Sequence, residues 1–401
     1  MTVEENQSDS EEQEATSRRS FLGKAGIGVA GLAASSAVLA ACSTTSAADD
    51  GEDSNDEEGG SSSGGGGEPD IEWDMATSWP TSLVTLYGSA EVFAEQVLRL
   101  TNGKLKINPK PAGEIVPGTE VLSAVQDGGA PAGHTASYYY TESNSVNQFG
   151  TAVPFGLTQR QQFAWLYEGG GLDLLNEFYA QEYNIISFPA GSTGVQMGGW
   201  FTKEINSVSD LQGLKMRIPG KVAGTVLNNL GGEQVSVPGG EILQQIQSGG
   251  IDAAEFVGPT DDLILGLNEL DNELFYYHPG WWEPGTTLDV QINLDQWNEL
   301  PETYQAAVEN AAAHANLRAL AKYDVSNPDD FIKIEEFATV KEFSPELMAA
   351  FKEETEKVLD EQAAENEAFA AILKPWREYR DKVSKWHATA ELSYLSQQSQ
   401  V

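Results

Sequence analysis

Twice along this chain, short apolar runs alternate with segments of helical spacing, and that alternation constrains the fold more than any other feature. In the first stretch, residues 73–76 read as a strand. Ser78-Trp79-Pro80 follows, then a helix over about 84–101 whose Leu86, Ala90, Phe93, Val97 and Leu100 keep to one helix face. Asn102-Gly103 stops it. Residues 104–108 read as the next strand, 118–127 as a helix closed by Gly128-Gly129, and 132–137 as a strand of small residues. In the second stretch 184–188, 198–201 and 214–218 read as strands, the last running into Arg217-Ile218-Pro219-Gly220. Helices are expected over 222–230 and 238–248, each ended by a Gly-Gly pair, and a strand over 251–257. Such a rhythm predicts parallel sheets covered by helices. Two such units predict an α/β protein of two lobes with a hinge cleft: 71–190 plus about 290–395 in lobe I, 191–289 in lobe II.

Residues 301–323 and 344–392 read as long C-terminal helices. Phe369, Ile372, Trp376, Tyr379, Val383 and Trp386 recur at heptad-like spacing, with Pro375 a candidate kink. This seam either packs on its own lobe or docks on a second copy of the chain.

The N-terminus reads as an address. Arg18-Arg19 precede an apolar run over 25–41 that is too short for a comfortable membrane span. Paired arginines before a mild apolar stretch predict a twin-arginine export signal over 1–41. The run ends Leu39-Ala40-Ala41-Cys42, which resembles a lipobox, so Cys42, the only cysteine, is the expected lipid-bearing residue. A Gly26-x-Gly28-x-x-Gly31 match inside this run follows no strand and is no dinucleotide site. Residues 42–70 are acidic and then Ser/Gly-rich, a composition that predicts a disordered tether. About 25 such residues span roughly 25–30 Å. The mature protein is thus expected to be exported and lipid-anchored, on the outer face of the cytoplasmic membrane or in the periplasm.

Acidic residues number 61 against 23 basic ones, a net charge of −38, which argues against nucleic-acid binding. Residues 1–70 hold 15 of the acids and 3 of the bases, so the body itself carries −26. That predicts a halophilic surface rather than a patch for one cationic partner. One cysteine and four scattered histidines (His134, His278, His314, His387) exclude internal disulfides and make a zinc-hydrolase site improbable. The chain shows no nucleophile elbow, phosphate loop or Cys–His pair, so no enzyme activity is expected.

Ligand capture remains. Arg217 sits at the carboxyl end of a strand, just before a helix, where open α/β sheets bind ligands and a guanidinium can grip a carboxylate. Glu255 occupies the same kind of place between Ala254 and Phe256 and needs a partner there. Glu283 lies in Pro279-Gly280-Trp281-Trp282-Glu283-Pro284-Gly285, an aromatic corner suited to a pocket wall.

Several segments together resemble the extracytoplasmic solute-binding proteins of TRAP (tripartite ATP-independent periplasmic) transporters, the DctP-type family, which has a two-lobed periplasmic-binding-protein-like fold. They are Ala76-Thr77-Ser78-Trp79-Pro80, Ala152-Val153-Pro154-Phe155-Gly156, the run 191–200, Leu211-Gln212-Gly213-Leu214-Lys215-Met216-Arg217-Ile218-Pro219-Gly220, the run 249–255 and Tyr276-Tyr277-His278-Pro279-Gly280-Trp281-Trp282-Glu283-Pro284-Gly285. The last is similar to the branch that captures 2-oxo and 2-hydroxy monocarboxylates, such as pyruvate or lactate, with a bound cation. The resemblance implies that Arg217 holds the substrate carboxylate, and that Gln196, Glu255, Glu283 and the Phe256 carbonyl hold Ca²⁺ or Na⁺. It places Gln196, Phe256 and Tyr138, Tyr139 or Tyr140 (Tyr138 first) near the substrate, and the aromatic corner adds Trp282. Phe256 is often Trp in similar proteins, a change that a carbonyl ligand survives. The implied partners are a small organic acid anion and the membrane permease subunits of the transporter.

Charge counting agrees. Arg217, two glutamates and a monocarboxylate sum to −2, and like charges at 4 Å cost about 4 kcal/mol per pair at ε ≈ 20. All-oxygen donors point to a hard cation. Two other readings compete: a secreted glycoside hydrolase using Glu255 and Glu283 as its carboxylate pair, and a tethered sensor with no transport role.

Overall fold

The computed structural model describes residues 68–237 and 239–399. The expected export signal, Cys42 and nearly all of the tether lie outside the described residues. Among the described residues, no helix is long and apolar enough to cross a membrane.

Among the described residues, eleven strands form two sheets: β1 (Ile71–Thr77), β2 (Leu105–Lys110), β3 (Ala132–Thr135), β4 (Ile185–Gly194), β5 (Gly199–Phe201), β6 (Lys215–Arg217), β7 (Glu233–Val235), β8 (Ala253–Ala254), β9 (Phe275–His278), β10 (Thr286–Asn293) and β11 (Thr339–Glu342). The first sheet runs β2-β1-β3-β10-β4 and the second β11-β9-β5-β8-β6-β7. The βα units pair in parallel as their spacing predicts: β1 with β2 and β3, β6 with β7 and β8. β10 and β5 are antiparallel to both of their neighbours. Each of these two strands begins where the chain arrives from the other sheet, so no covering helix forces the parallel sense.

Sheet membership corrects the expected lobe boundaries. β4 continues to Gly194 and β10 starts at Thr286, both in the first sheet, so the segment 191–289 is too long at each end. β11 joins the second sheet beside β9, although 290–395 had been expected to belong wholly to the first lobe. The following helix, Pro345–Glu365, packs on the second-lobe helix Lys221–Asn229. The helix expected over 301–323 runs as Glu302–Glu335, 34 residues with Pro328 inside it. It packs on β4 and on the helix Leu86–Leu100 in the first lobe, and on the helix Pro259–Ile264 in the second. The strand expected over 251–257 pairs only at Ala253–Ala254, and the helix expected over 238–248 is regular only over Ile242–Gln247.

The C-terminal seam divides along its length. Phe369, Ile372 and Trp376 are buried in the core beneath the helix Glu367–His387, and Tyr379 and Val383 lean on that core. The helix continues unbroken through Pro375. Beyond it Trp386, Leu392, Tyr394 and Leu395 are each more than half exposed.

Candidate functional site

Arg217 ends β6, and its carbonyl accepts the Glu255 N–H at 3.0 Å, tying that strand end to the residue following β8. Its Nε donates to the Val237 carbonyl at 3.1 Å, and its Nη1 to the Glu255 carbonyl at 3.0 Å and to Glu255 Oε1. The guanidinium also sits 5.8 Å from the centre of the Phe256 ring. Among the described residues its second terminal nitrogen makes no hydrogen bond, and Arg217 lines a cavity of about 740 Å³. Ser78, Trp79, Tyr138 and Tyr139 face that cavity from the first lobe, Arg217 and Phe256 from the second. It is the inter-lobe cleft.

Two connections between the lobes supply the remaining polar groups. Gln196 lies between β4 and β5, Glu283 between β9 and β10. The Gln196 N–H donates to the Glu283 carbonyl and the Gly280 N–H to the Gln196 carbonyl, both at 3.2 Å. Position 280 must be glycine, because a Cβ there would stand 2.4 Å from the Gln196 carbonyl oxygen. Thr286 joins the side chains: its hydroxyl donates to Glu283 Oε2 at 2.8 Å and accepts from Gln196 Nε2 at 3.1 Å. Gln196 Nε2 donates also to Thr193 Oγ1 at 3.2 Å. With both amide N–H groups spent on hydroxyls, Gln196 Oε1 is turned inward, buried and without a hydrogen-bond partner among the described residues. Glu255 Oε2 is in the same condition. Buried acceptors of this kind call for an explanation, and donation to a cation is one.

The electrostatics agree. Burial pushes Glu283 up to about 7, opposed by the Thr286 hydrogen bond, by Arg217 and by Tyr138. Glu255 is raised well above the usual carboxylate range by burial, with Arg217 opposing and Glu283 adding to the rise. One guanidinium thus serves two desolvated carboxylates, an excess of negative charge that a cation would balance. Among the described residues no three His, Cys, Asp or Glu converge. The polar groups gathered here are two carboxylates and an amide oxygen, oxygen donors of the kind that would suit a hard cation.

Of the residues singled out from sequence, Arg217, Phe256 and Tyr138 line the cleft, whereas Gln196, Glu255 and Glu283 are buried and joined to its lining through Arg217 and Tyr138. Tyr139 lines the cleft too, but the Tyr140 hydroxyl is engaged with Thr135 Oγ1 at 2.8 Å. Trp282 does not reach the cleft lining. It packs edge-on against Trp281 at 5.0 Å and near Phe343, while Trp281 stacks on Phe351 at 4.4 Å, so the Trp-Trp corner is core. Sequence reasoning missed Thr286 and Thr193, whose hydroxyls orient Gln196, and Trp79, whose indole N–H donates to His134 Nδ1 at 2.8 Å. The Ser78-Trp79-Pro80 turn was the available signal for Trp79; the threonines offered none.

Comparisons with known proteins identify the family. The family described as bacterial extracellular solute-binding protein, family 7 (DctP) matches residues 75–366. A monocarboxylate 2-oxoacid-binding periplasmic protein from Nostoc sp. is 49% identical over 327 residues, covering 81% of this chain and 88% of the relative. A TRAP transporter solute-binding protein from Bordetella bronchiseptica, crystallised as a mixed-occupancy dimer with copurified calcium and picolinate, superposes with a TM-score of 0.79 at 40% identity, covering 82% of this chain and 97% of that one. One from Colwellia psychrerythraea with bound calcium and pyruvate gives 0.78 at 34% identity, with 82% and 99% coverage. One from Pseudoalteromonas atlantica with bound sodium and pyruvate gives 0.77 at 35%, with 81% and 98% coverage. None of these relatives supports a glycoside hydrolase or a transport-independent sensor, and their family is one of receptors rather than enzymes. The chain belongs to the DctP family, the extracytoplasmic solute-binding receptors of TRAP transporters.

Proposed function

We propose that this chain captures a small 2-oxo or 2-hydroxy monocarboxylate, pyruvate or lactate among the candidates, together with Ca²⁺ or Na⁺, and delivers it to a TRAP permease. The observation that carries this reading is that Gln196 Oε1 and Glu255 Oε2, both buried and without a hydrogen-bond partner among the described residues, belong to residues grouped with the buried Arg217–Glu255 ion pair and Glu283. Arg217 offers its free N–H groups to the acid's carboxylate. Gln196, Glu255, Glu283 and the Phe256 carbonyl hold the cation, whose charge lets two glutamates and an anion share one dry site. Tyr138 gives a hydroxyl to the ligand and the Phe256 ring an apolar wall. Nothing is consumed: the lobes close on the acid, shift the open–closed equilibrium and present the closed form to the membrane partner.

Calorimetry with pyruvate and lactate, at fixed sodium, tests this. Removal of divalent ions by chelator is expected to weaken affinity at least about tenfold, each tenfold being 1.4 kcal/mol. Affinity that ignores both chelator and sodium overturns the cation-bridged reading.

The body is held outside the cytoplasm by lipid on Cys42, a reading that Arg18-Arg19 and the Leu-Ala-Ala-Cys run support. Cys42→Ala is expected to release the protein from membranes. The exposed Trp386, Leu392, Tyr394 and Leu395 support a homodimer through the C-terminal helix, and a light-scattering mass of one chain counts against it.

A further inference from the structure

A buried carboxylate outside this donor set holds the backbone that carries it. Asp262, in the helix Pro259–Ile264, is 2% exposed and receives four hydrogen bonds. Trp200 Nε1 and the Tyr276 hydroxyl donate to its Oδ2 at 3.0 and 2.7 Å. The N–H groups of Val257 and Gly258 donate to its Oδ1 at 3.0 and 3.1 Å. The Val257 carbonyl accepts in turn from the Met197 N–H at 3.2 Å. Val257 directly follows Glu255-Phe256, and Met197 directly follows Gln196. One carboxylate therefore fixes two backbone strips that carry three of the four groups assigned to the cation. Its own anchor is rigid, since Trp200 and Tyr276 are register partners on β5 and β9 and stack at 4.1 Å.

We infer that Asp262 is a positioning residue for the cation site: it touches neither ion nor acid, and it sets the spacing between the Gln196 strip and the Glu255-Phe256 strip. Supports of this kind are worth about 10–100-fold in metal affinity. The inference rests on the cation-bridged reading above. Asn at 262 would keep an acceptor for the backbone N–H groups but turn an N–H toward the Trp200 N–H. The adjacent Asp261 supplies the contrast. It too is buried, but its Oδ2 accepts from the Tyr323 hydroxyl on the 34-residue helix, and it makes no hydrogen bond to either strip.

The test is a Ca²⁺ titration of the chelator-stripped full chain with pyruvate as the probe acid (a Na⁺ titration if the wild type responds only to Na⁺), alongside melting curves. Asp262→Asn is expected to raise the cation midpoint about tenfold or more, while pyruvate affinity at saturating cation stays within about threefold. Asp261→Asn is expected to lower the melting temperature and leave the cation midpoint in place. Tyr276→Phe, which removes one donor from Oδ2, is expected to shift the midpoint in the same direction by less, and carries the test if Asp262→Asn does not fold. An unmoved midpoint in folded Asp262→Asn, or in Tyr276→Phe where it stands alone, overturns the inference, as does an equal shift in Asp261→Asn. A wild type that binds pyruvate without regard to either cation overturns the underlying reading as well, and shows it before any variant is made.

Discussion

The cleft and the C-terminal helices both use arginine–carboxylate pairs, to different ends. In the cleft, Arg217 and Glu255 are almost wholly out of water, and the pair is served by backbone carbonyls and faced by a second glutamate. Between the helices Pro345–Glu365 and Glu367–His387, Arg377 pairs with Glu356 and Asp360, and Arg380 with Glu356, all partly exposed. Exposed pairs contribute about 0–1 kcal/mol each. Breaking a buried pair from one side costs about 3–5 kcal/mol, because the survivor is left uncompensated. Identical chemistry therefore adds little where it is exposed and, on the reading proposed above, supports ligand binding where it is buried.

Arg217→Ala should show the largest effect: loss of measurable anion binding and a fall in stability of about 3–5 kcal/mol in denaturant titrations. Adding Glu255→Gln should restore most of the stability and none of the binding, and a double variant that still binds would break the comparison. Gln196→Leu is expected to weaken the cation midpoint by about tenfold, since it removes an unpartnered oxygen rather than a satisfied one; the same calorimetry reads it. Arg377→Ala should cost within about 1 kcal/mol and less at molar salt, where exposed pairs are screened.

His134 gives a contrast read by pH rather than by substitution. Buried in β3, it accepts from Trp79 at Nδ1, while its Nε2 lies 3.2 Å from the Ala190 carbonyl. Burial lowers it from 6.5 to about 4, with the Ala190 hydrogen bond opposing. Between those values the unfolded chain binds the proton and the folded one does not. The contribution is whole above pH 6.5, fades as pH falls, and is gone below about 4. Imidazole NMR should find one of the four histidines titrating near 4; a His134 midpoint at 6.5 would contradict the burial of the Trp79 anchor.

Legibility followed local chemistry. The helix Leu86–Leu100 and the strand β6 could be read because one repeats an apolar face and the other ends at a charged residue before Pro-Gly. β10 could not, although its residues are buried along their whole length. It sits in mid-sheet and carries Asp289 and Gln291, whose Ser187 and mutual hydrogen bonds replace the apolar alternation that marks an ordinary strand. β11 is four residues of mixed polarity, and only its pairing with β9 makes it a strand. In the site, Arg217, Glu255 and Glu283 could be picked out because charge in an apolar run demands a reason. Gln196 carries no such mark, and its inward-facing oxygen is a product of two threonine hydroxyls. Trp282 misled because bulky aromatics line pockets and fill cores with equal ease.

The helix Glu302–Glu335 is a rod of about 50 Å at 1.5 Å per residue. Both lobes are fastened to it, the first through β4 and the second through Thr260 and Asp261, which bond to Ser326, Asn327 and Tyr323 of the helix. Parting the lobes has to flex that beam or peel one lobe from it. A stiff helix would then limit the stroke, and the two connections that carry Gln196 and Glu283 would be the segments about which it turns.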